Sequence, residues 1–238
     1  MLLHCEMEGR PVSEGARLAA GWLRPQDLES LVDLNELCLA LLAEQAAVPG
    51  AQPGALLRPV GELWRGLDAG GRRRAAACPY LLLDAGFADE PRWRRAALPQ
   101  VGDASRAPYG SFFTVPGAIE VRRLVLTYAW HLARTQGAAA RLLLGMPAPC
   151  AALVGQCTLR QIHALAEAHP EWLKPRWPAR AQVWRELLLA AASGEAGALE
   201  HAHMHGLTLL AAESRSAAAT SPAGTASTAP SLRYPARP

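Results

Sequence analysis

The sequence predicts an all-α fold, a multi-helix bundle whose candidate organisation is two tandem helical modules followed by a disordered C-terminal tail. Half of the 238 residues are apolar, enough for a substantial core without metals or disulfides. That apolar content is dominated by Leu and Ala, strong helix formers, with only three Phe in the chain, so summed propensity favours helix over strand. Apolar positions also recur at three- and four-residue steps over long stretches, the period of a helix face.

The first helix is expected over residues 24–46. Pro25 suits a first turn, Asp27 and Glu29 suit the positive end of the helix dipole, and Leu28, Leu31, Asn35, Cys38 and Leu42 fall on one face. The Pro- and Gly-containing stretch 48–54 reads as a linker. Two shorter helices are expected in "ALLRPVGELWRGLD" and "RRRAAACPYLLLDAGF", the second interrupted near Pro79. Residues 99–117, rich in Pro and Gly, read as an irregular connection. This divides the chain into an N-terminal module (1–98), a linker (99–117), a C-terminal module (118–213) and a tail (214–238).

Residues 118–136 predict a long helix with Ile119, Leu126, Trp130 and Ala133 on one face, about 28 Å at 1.5 Å per residue. "AAARLLLG" continues to Gly145, a candidate C-cap. Pro147 opens the next helix and Gly155 closes it. Thr158 followed by Gln161 matches a capping box, so another helix starts there, and Pro170 stops it. Leu159, Ile162, Leu165 and Ala166 form its expected inner face, leaving Arg160, His163 and Glu167 outward with Gln161 at the flank. Further helices are expected from about residue 180 and in "ALEHAHMHGLTLLAAES". From Ser214 the chain has too little large apolar surface to repay ordering. A shift of 91 residues sets Pro79 on Pro170, Trp93 on Trp184 and Arg94 on Arg185, a candidate internal repeat.

The formal net charge is +3, too small to imply nucleic acid by itself. Its distribution is uneven: residues 1–47 hold eight acids and three Arg, residues 58–106 nine bases and six acids, and residues 116–213 nine bases and seven acids. The five cysteines are scattered with no CxxC pair, the pattern of reduced thiols. The N-terminus "MLLHCEMEGR" lacks the charge order of a signal peptide, and no apolar run reaches the length of a membrane span. The expectation is a cytoplasmic protein with no membrane partner.

No phosphate loop, dinucleotide turn, nucleophile elbow or paired-carboxylate motif occurs, so the expectation is a protein that is not an enzyme, with no cofactor and no metal. In "HAHMH", His201 and His205 lie one helical turn apart with His203 pointing away, which gives two convergent imidazoles where a metal site needs more. Cys150, Cys157 and His163 suggest a thiolate and base or a set of zinc ligands, but a fourth ligand is missing, and the two thiols read as packing residues. Trp64, Trp93, Trp130, Trp172, Trp177 and Trp184 read as core or interface. "PEWLKPRW" interleaves aromatics with Lys174 and Arg176.

The order "VLTYAWHLARTQGAAARLLLGM", then "CAALVGQCTLRQIHALAEAHPEWLKPRW", resembles the D subunit family of the flagellar master transcription activator. The matching positions are Leu126, Thr127, Tyr128, Leu144, Gly145, Met146, Thr158, Leu159, Gln161, Ile162, Leu165, Ala166 and Glu167, followed in that family by a short extended piece. The resemblance spans residues 121–190, less than a third of the chain. Family members are about half as long, and the first 115 residues have no counterpart. It implies an all-helical, self-associating cytoplasmic regulator that acts with a zinc-bearing C subunit at flagellar promoters. On this reading a protein partner or self-association is expected, DNA is a second class of partner, and Arg160, Gln161, His163, Lys174 and Arg176 are the candidate DNA contacts. The alternative is a helical interaction or accessory protein with no nucleic-acid role.

Overall fold

The computed structural model describes residues 24–48, 56–97 and 110–220, with side chains described to Ser216. Ten α-helices, one 3-10 turn and two strands of two residues each occur among the described residues. In chain order they are α1 (Pro25–Ala47), α2 (Leu57–Gly66), α3 (Ala69–Ala76), β1 (Leu83–Asp84), α4 (Glu90–Ala97), α5 (Ala118–Thr135), α6 (Gly137–Leu144), α7 (Ala148–Gln156), α8 (Leu159–Ala168), the 3-10 turn Pro170–Trp172, β2 (Lys174–Pro175), α9 (Ala181–Ser193) and α10 (Ala196–Thr220). The all-α expectation holds.

The local signals explain most helix ends. Pro25 opens α1, and Leu31, Asn35, Cys38 and Leu42 are buried along it as their spacing requires. Gly145 closes α6 in the left-handed conformation (φ 64°), which costs glycine nothing sterically. Thr158 and Gln161 form the full capping box at the start of α8. Asp68 does the same work for α3, accepting from Gly71 N–H.

Four expectations are corrected. Residues 77–89 are not helical: α3 ends at Ala76, and the chain runs through Pro79 into β1. α5 buries Val121, Arg122, Val125, Leu126, Ala129 and Leu132, whereas Ile119 is exposed. Leu159 is exposed at the mouth of α8 because it sits a full turn before the packed residues Ile162, Leu165 and Ala166. The last helix continues past Ser214 to Thr220. The rest of the expected tail, residues 221–238, lies outside the described residues, as do most of the expected linkers.

The two halves share an order of elements. Among the described residues, α1, α2, α3, β1 and α4 are followed by α5, α7, α8, β2 and α9, with α6 lying between α5 and α7 and α10 following α9. The offset is 91 positions from β1 to β2 and from α4 to α9, and 90 between the starts of α3 and α8. β1 and β2 pair antiparallel, Leu83 with Pro175 and Asp84 with Lys174, so each strand's first residue meets the other's second, as a local two-fold axis demands.

The halves are not separate modules. α2 and α3 pack on α1, and α7 and α8 pack on α5. The closing helix of each half crosses over: α4 packs on α7 of the second half, and α9 packs on α2 and α3 of the first. α1 and α5 meet across the axis. The aromatic pairs follow this exchange. Trp184 of α9 meets Trp64 of α2 edge to face at 5.8 Å, and Trp93 of α4 meets Trp172 at 5.1 Å. A single hydrophobic cluster therefore runs through both halves.

Buried polar groups tie the backbone where it leaves regular structure. Asn35 is fully buried, donates to the carbonyls of Ala76 and Tyr80 at 3.0 Å, and accepts from Leu82 N–H at 2.8 Å. It thus replaces the hydrogen bonds that non-helical backbone would otherwise lack. In the second half Arg122 donates its Nε to the Ala166 carbonyl at the end of α8. Each half thus ties its first helix to the C-terminal end of its third, with different chemistry.

Candidate functional site

Two surfaces carry chemistry or shape. The first is the outer face of α8. Arg160, Gln161 and His163 are all exposed there, as the sequence reading expects. Gln161 is engaged in the capping box, its Oε1 accepting from Thr158 N–H at 2.8 Å. His163 Nε2 lies 3.4 Å from the Thr127 hydroxyl. Further along the helix Glu167 accepts from Arg123 at 2.7 Å, and Arg123 also pairs with Glu120. The face is therefore mixed in charge, with two acids where an approaching phosphate would be repelled.

Lys174 and Arg176 do not join that face. Lys174 is half-buried and pairs with Asp84 at 3.4 Å across the two strands. Arg176 is 4% exposed, which corrects its assignment as a DNA contact. Its Nε donates to the Leu81 carbonyl and its Nη2 to that of Leu144, both at 2.8 Å, while Nη1 faces Glu213 at 3.7 Å. Its own N–H donates to Leu82 O, and its carbonyl accepts from Trp184 Nε1 at 2.7 Å. A guanidinium has enough fixed donors to serve several carbonyls at once. Here it joins the first half, α6, α9 and α10.

The second surface is a groove of about 900 Å³ between α6, α7 and α10, reaching the start of α4. Its walls are apolar, from Ala138, Leu142, Met146, Pro149, Leu207 and Ala211. Leu142 is 57% exposed. Arg141 and Arg215 stand on its rim. Beside it a smaller recess holds Asp84, Asp89, Arg92, Lys174, Arg176 and Glu213, whose charges neutralise one another in pairs. α10 can lie this close because Gly206 faces Tyr80: a Cβ there would stand 1.9 Å from the phenol oxygen. Among the described residues α10 has no counterpart in the first half.

The remaining candidate chemistry resolves into packing. Cys38, Cys78, Cys150 and Cys157 are buried, and burial pushes all four thiols up, Cys78 to about 12 and Cys150 to about 11. These are not activated nucleophiles. His205 Nδ1 lies 2.8 Å from Glu186 of α9, an acid that α10's own sequence does not supply. The His205 contact holds the Glu186 carboxyl below its usual range. His201 is exposed, and His203 is half-buried, its pKa lowered by desolvation. No group of three or more metal-ligating side chains comes together among the described residues. No single helix among them is long and apolar enough to cross a membrane. Of the tryptophans, Trp64, Trp93, Trp172, Trp177 and Trp184 are buried and Trp130 is half-buried.

Comparison of the chain with protein-family models, with curated proteins and with solved structures gives no match.

Proposed function

We propose that this protein is a non-enzymatic, cytoplasmic regulatory subunit that works through protein–protein contacts, in the manner of the D subunit of the flagellar master transcription activator that residues 121–190 resemble. The observation that carries the reading is the exchange of closing helices between the two halves, α4 onto α7 and α9 onto α2. That arrangement is the one expected of an intertwined homodimer, here held within one chain. A self-associating regulator whose two copies were joined would present its partner surfaces about a built-in two-fold axis. The second-half elements α6 and α10 and their groove would then distinguish one side of that axis from the other.

The mixed charge of the α8 face favours a protein partner over direct reading of DNA, because specific DNA contacts need polar, non-acidic side chains facing the phosphates. The test is co-purification of the full chain with the zinc-bearing C subunit, followed by a mobility-shift titration on a flagellar promoter at two salt concentrations. Capture of the C subunit, with salt-sensitive promoter binding by the pair and not by this chain alone, is the expected result. Failure to capture the C subunit overturns the flagellar reading. Capture of another protein with no effect on DNA would leave a helical accessory protein with no nucleic-acid role.

A further inference from the structure

α10 is held to the body at a few points along one face. Its main helix partner is α9, which it follows through Gly194 and Glu195, the first in the left-handed conformation at φ 72°. Further along, Gly206 lets the helix come down on Tyr80, and Gly145 leaves room for Leu210, whose Cδ1 stands 2.5 Å from where a Cβ would lie. The far end is tied by Glu213 to Arg176 at 3.7 Å and by the Ser214 hydroxyl to the Gly145 carbonyl at 3.5 Å. Both contacts are long, and Glu213 is exposed, so they contribute little. His203 stands one turn before Gly206 and beside the buried Ala202. Its Nε2 is buried with no hydrogen-bond partner among the described residues. A neutral imidazole tolerates that position, whereas an imidazolium brings a charge and a second N–H donor that need partners or water. We propose that α10 is an acid-released strap: protonation of His203 frees the helix from Tyr80 and Gly145 and lets it turn about Gly194.

The charged and titratable groups around the helix are engaged elsewhere. Glu186 of α9 faces His205 at 2.8 Å and also feels His201. Tyr80 meets Gly206, and Arg176 meets Glu213. None of these acts on His203, whose pKa is lowered by burial alone. In a released helix the imidazole returns to water and to its ordinary affinity for a proton. Docking is therefore undisturbed above the ordinary 6.5 and weakens as pH falls through the lower value of the docked helix. Protonation of His205 works the other way, by strengthening its pair with Glu186, but that pair is part-exposed and contributes little. Release would uncover Tyr80 and Leu210, now 1% and 3% exposed, and would leave the Arg176 guanidinium open to a carboxylate from outside the chain.

The inference stands apart from the regulatory reading, and its test needs no partner. Hydrogen exchange of the full 238-residue chain is followed at pH 7.5 and pH 5.5, with the intrinsic pH dependence of exchange divided out. At pH 5.5 residues 200–216 should exchange several-fold faster, with about tenfold as the limit for one group that titrates at 6.5 when released. α1, α5 and α9 should keep their protection. His203→Gln and His203→Leu, which take up no proton there, should each exchange alike at both pH values. His205→Gln removes the opposing pair and should steepen the response. Equal exchange of α10 at the two pH values in the wild-type chain overturns the proposal. So does a rise shared equally by α1 and α5, which would be acid loosening of the whole core. A response that survives both His203 variants, or one that is lost in His205→Gln, overturns it as well.

Discussion

Gly86 and Trp177, 91 positions apart, both adopt the left-handed backbone conformation, at φ 71° and 51°. Each carbonyl accepts a hydrogen bond from the N–H three residues on, Asp89 at 3.0 Å and Arg180 at 2.9 Å. Each turn follows a strand and leads into the helix that crosses to the other half. The same backbone turn is thus built twice, once with the residue that adopts it freely and once with a bulky one that does not.

The unequal fit of the two residues predicts unequal responses. Gly86→Ala should destabilise the protein by about 1–2 kcal/mol, the usual strain of an L-residue in that region. Its Cβ would also displace the Arg92 side chain, which lies 2.3 Å from the ideal position. Trp177→Gly relieves a similar strain, but it removes a side chain that is only 6% exposed and packs edge to face on Tyr80 at 5.6 Å. Loss of a buried Trp costs about 3–5 kcal/mol, so the net effect should be destabilising and the larger of the two. Urea midpoints of both variants check the order; a stabilised Trp177→Gly would show that the strain outweighs the packing.

Arg176→Met should destabilise by roughly 3–5 kcal/mol, because it strands buried carbonyls that a guanidinium now satisfies. The carbonyls of Leu81 and Leu144 lose their side-chain donor, and Glu213 loses its partner across the α10 interface. The loosening should be uneven. Hydrogen exchange should rise first in α10 and in residues 81–84, while α1 and α5 stay protected. Uniform protection across all helices would contradict this role.

Arg176 also shows where a sequence reading stops. In "PEWLKPRW" it looks like half of a surface pattern of alternating cations and aromatics. Its partners lie 95 and 32 positions away, and no local spacing encodes them. The same limit hid the exchange of α4 and α9: residues 90–97 were not legible as a helix at all, and α9 reads as a helix whichever half it packs on. A two-residue strand has no period to detect, so β1 left no trace beyond Pro79, and β2 only the short extended piece that the family resemblance implied. By contrast, the capping box at Thr158, the C-cap at Gly145 and the buried stripe of α1 were legible, because their causes lie within four residues of each other. The candidate repeat was legible only as Pro79 on Pro170, Trp93 on Trp184 and Arg94 on Arg185; among the described residues the two halves share an order of elements except that the second half carries α6 between α5 and α7.

Thr158→Ala tests one of these local causes directly. The Thr158 hydroxyl accepts from Gln161 N–H at 3.2 Å, and Gln161 returns the bond to Thr158 N–H. Its loss should cost about 1 kcal/mol. Thr158→Ser, which keeps the hydroxyl, should recover most of it. Thermal unfolding of the pair provides the comparison, and an equal loss in both would assign the effect to the Thr methyl group instead.

The buried thiols give the protein an alkaline limit. Cys38 and Cys78 lie within one cluster around Asn35, and burial raises both above the ordinary 9.0, Cys78 to about 12. Below pH 9 the thiols are neutral whether the chain is folded or not, and their burial is undisturbed. Above 9 the unfolded chain releases their protons while the folded one holds them, so stability must fall as pH climbs from about 9 towards 12. The phenols of Tyr80 and Tyr128, also raised by burial, add to the decline above 10. Urea midpoints at pH 8 and pH 10 should therefore differ, with the lower value at pH 10. Cys78→Ala should reduce that difference, because alanine has no proton to release. At pH 8 a thiol reagent should leave the four buried cysteines unmodified until denaturant is added. Rapid modification of any of them in the folded protein would mean that the shared core opens far more often than its packing allows.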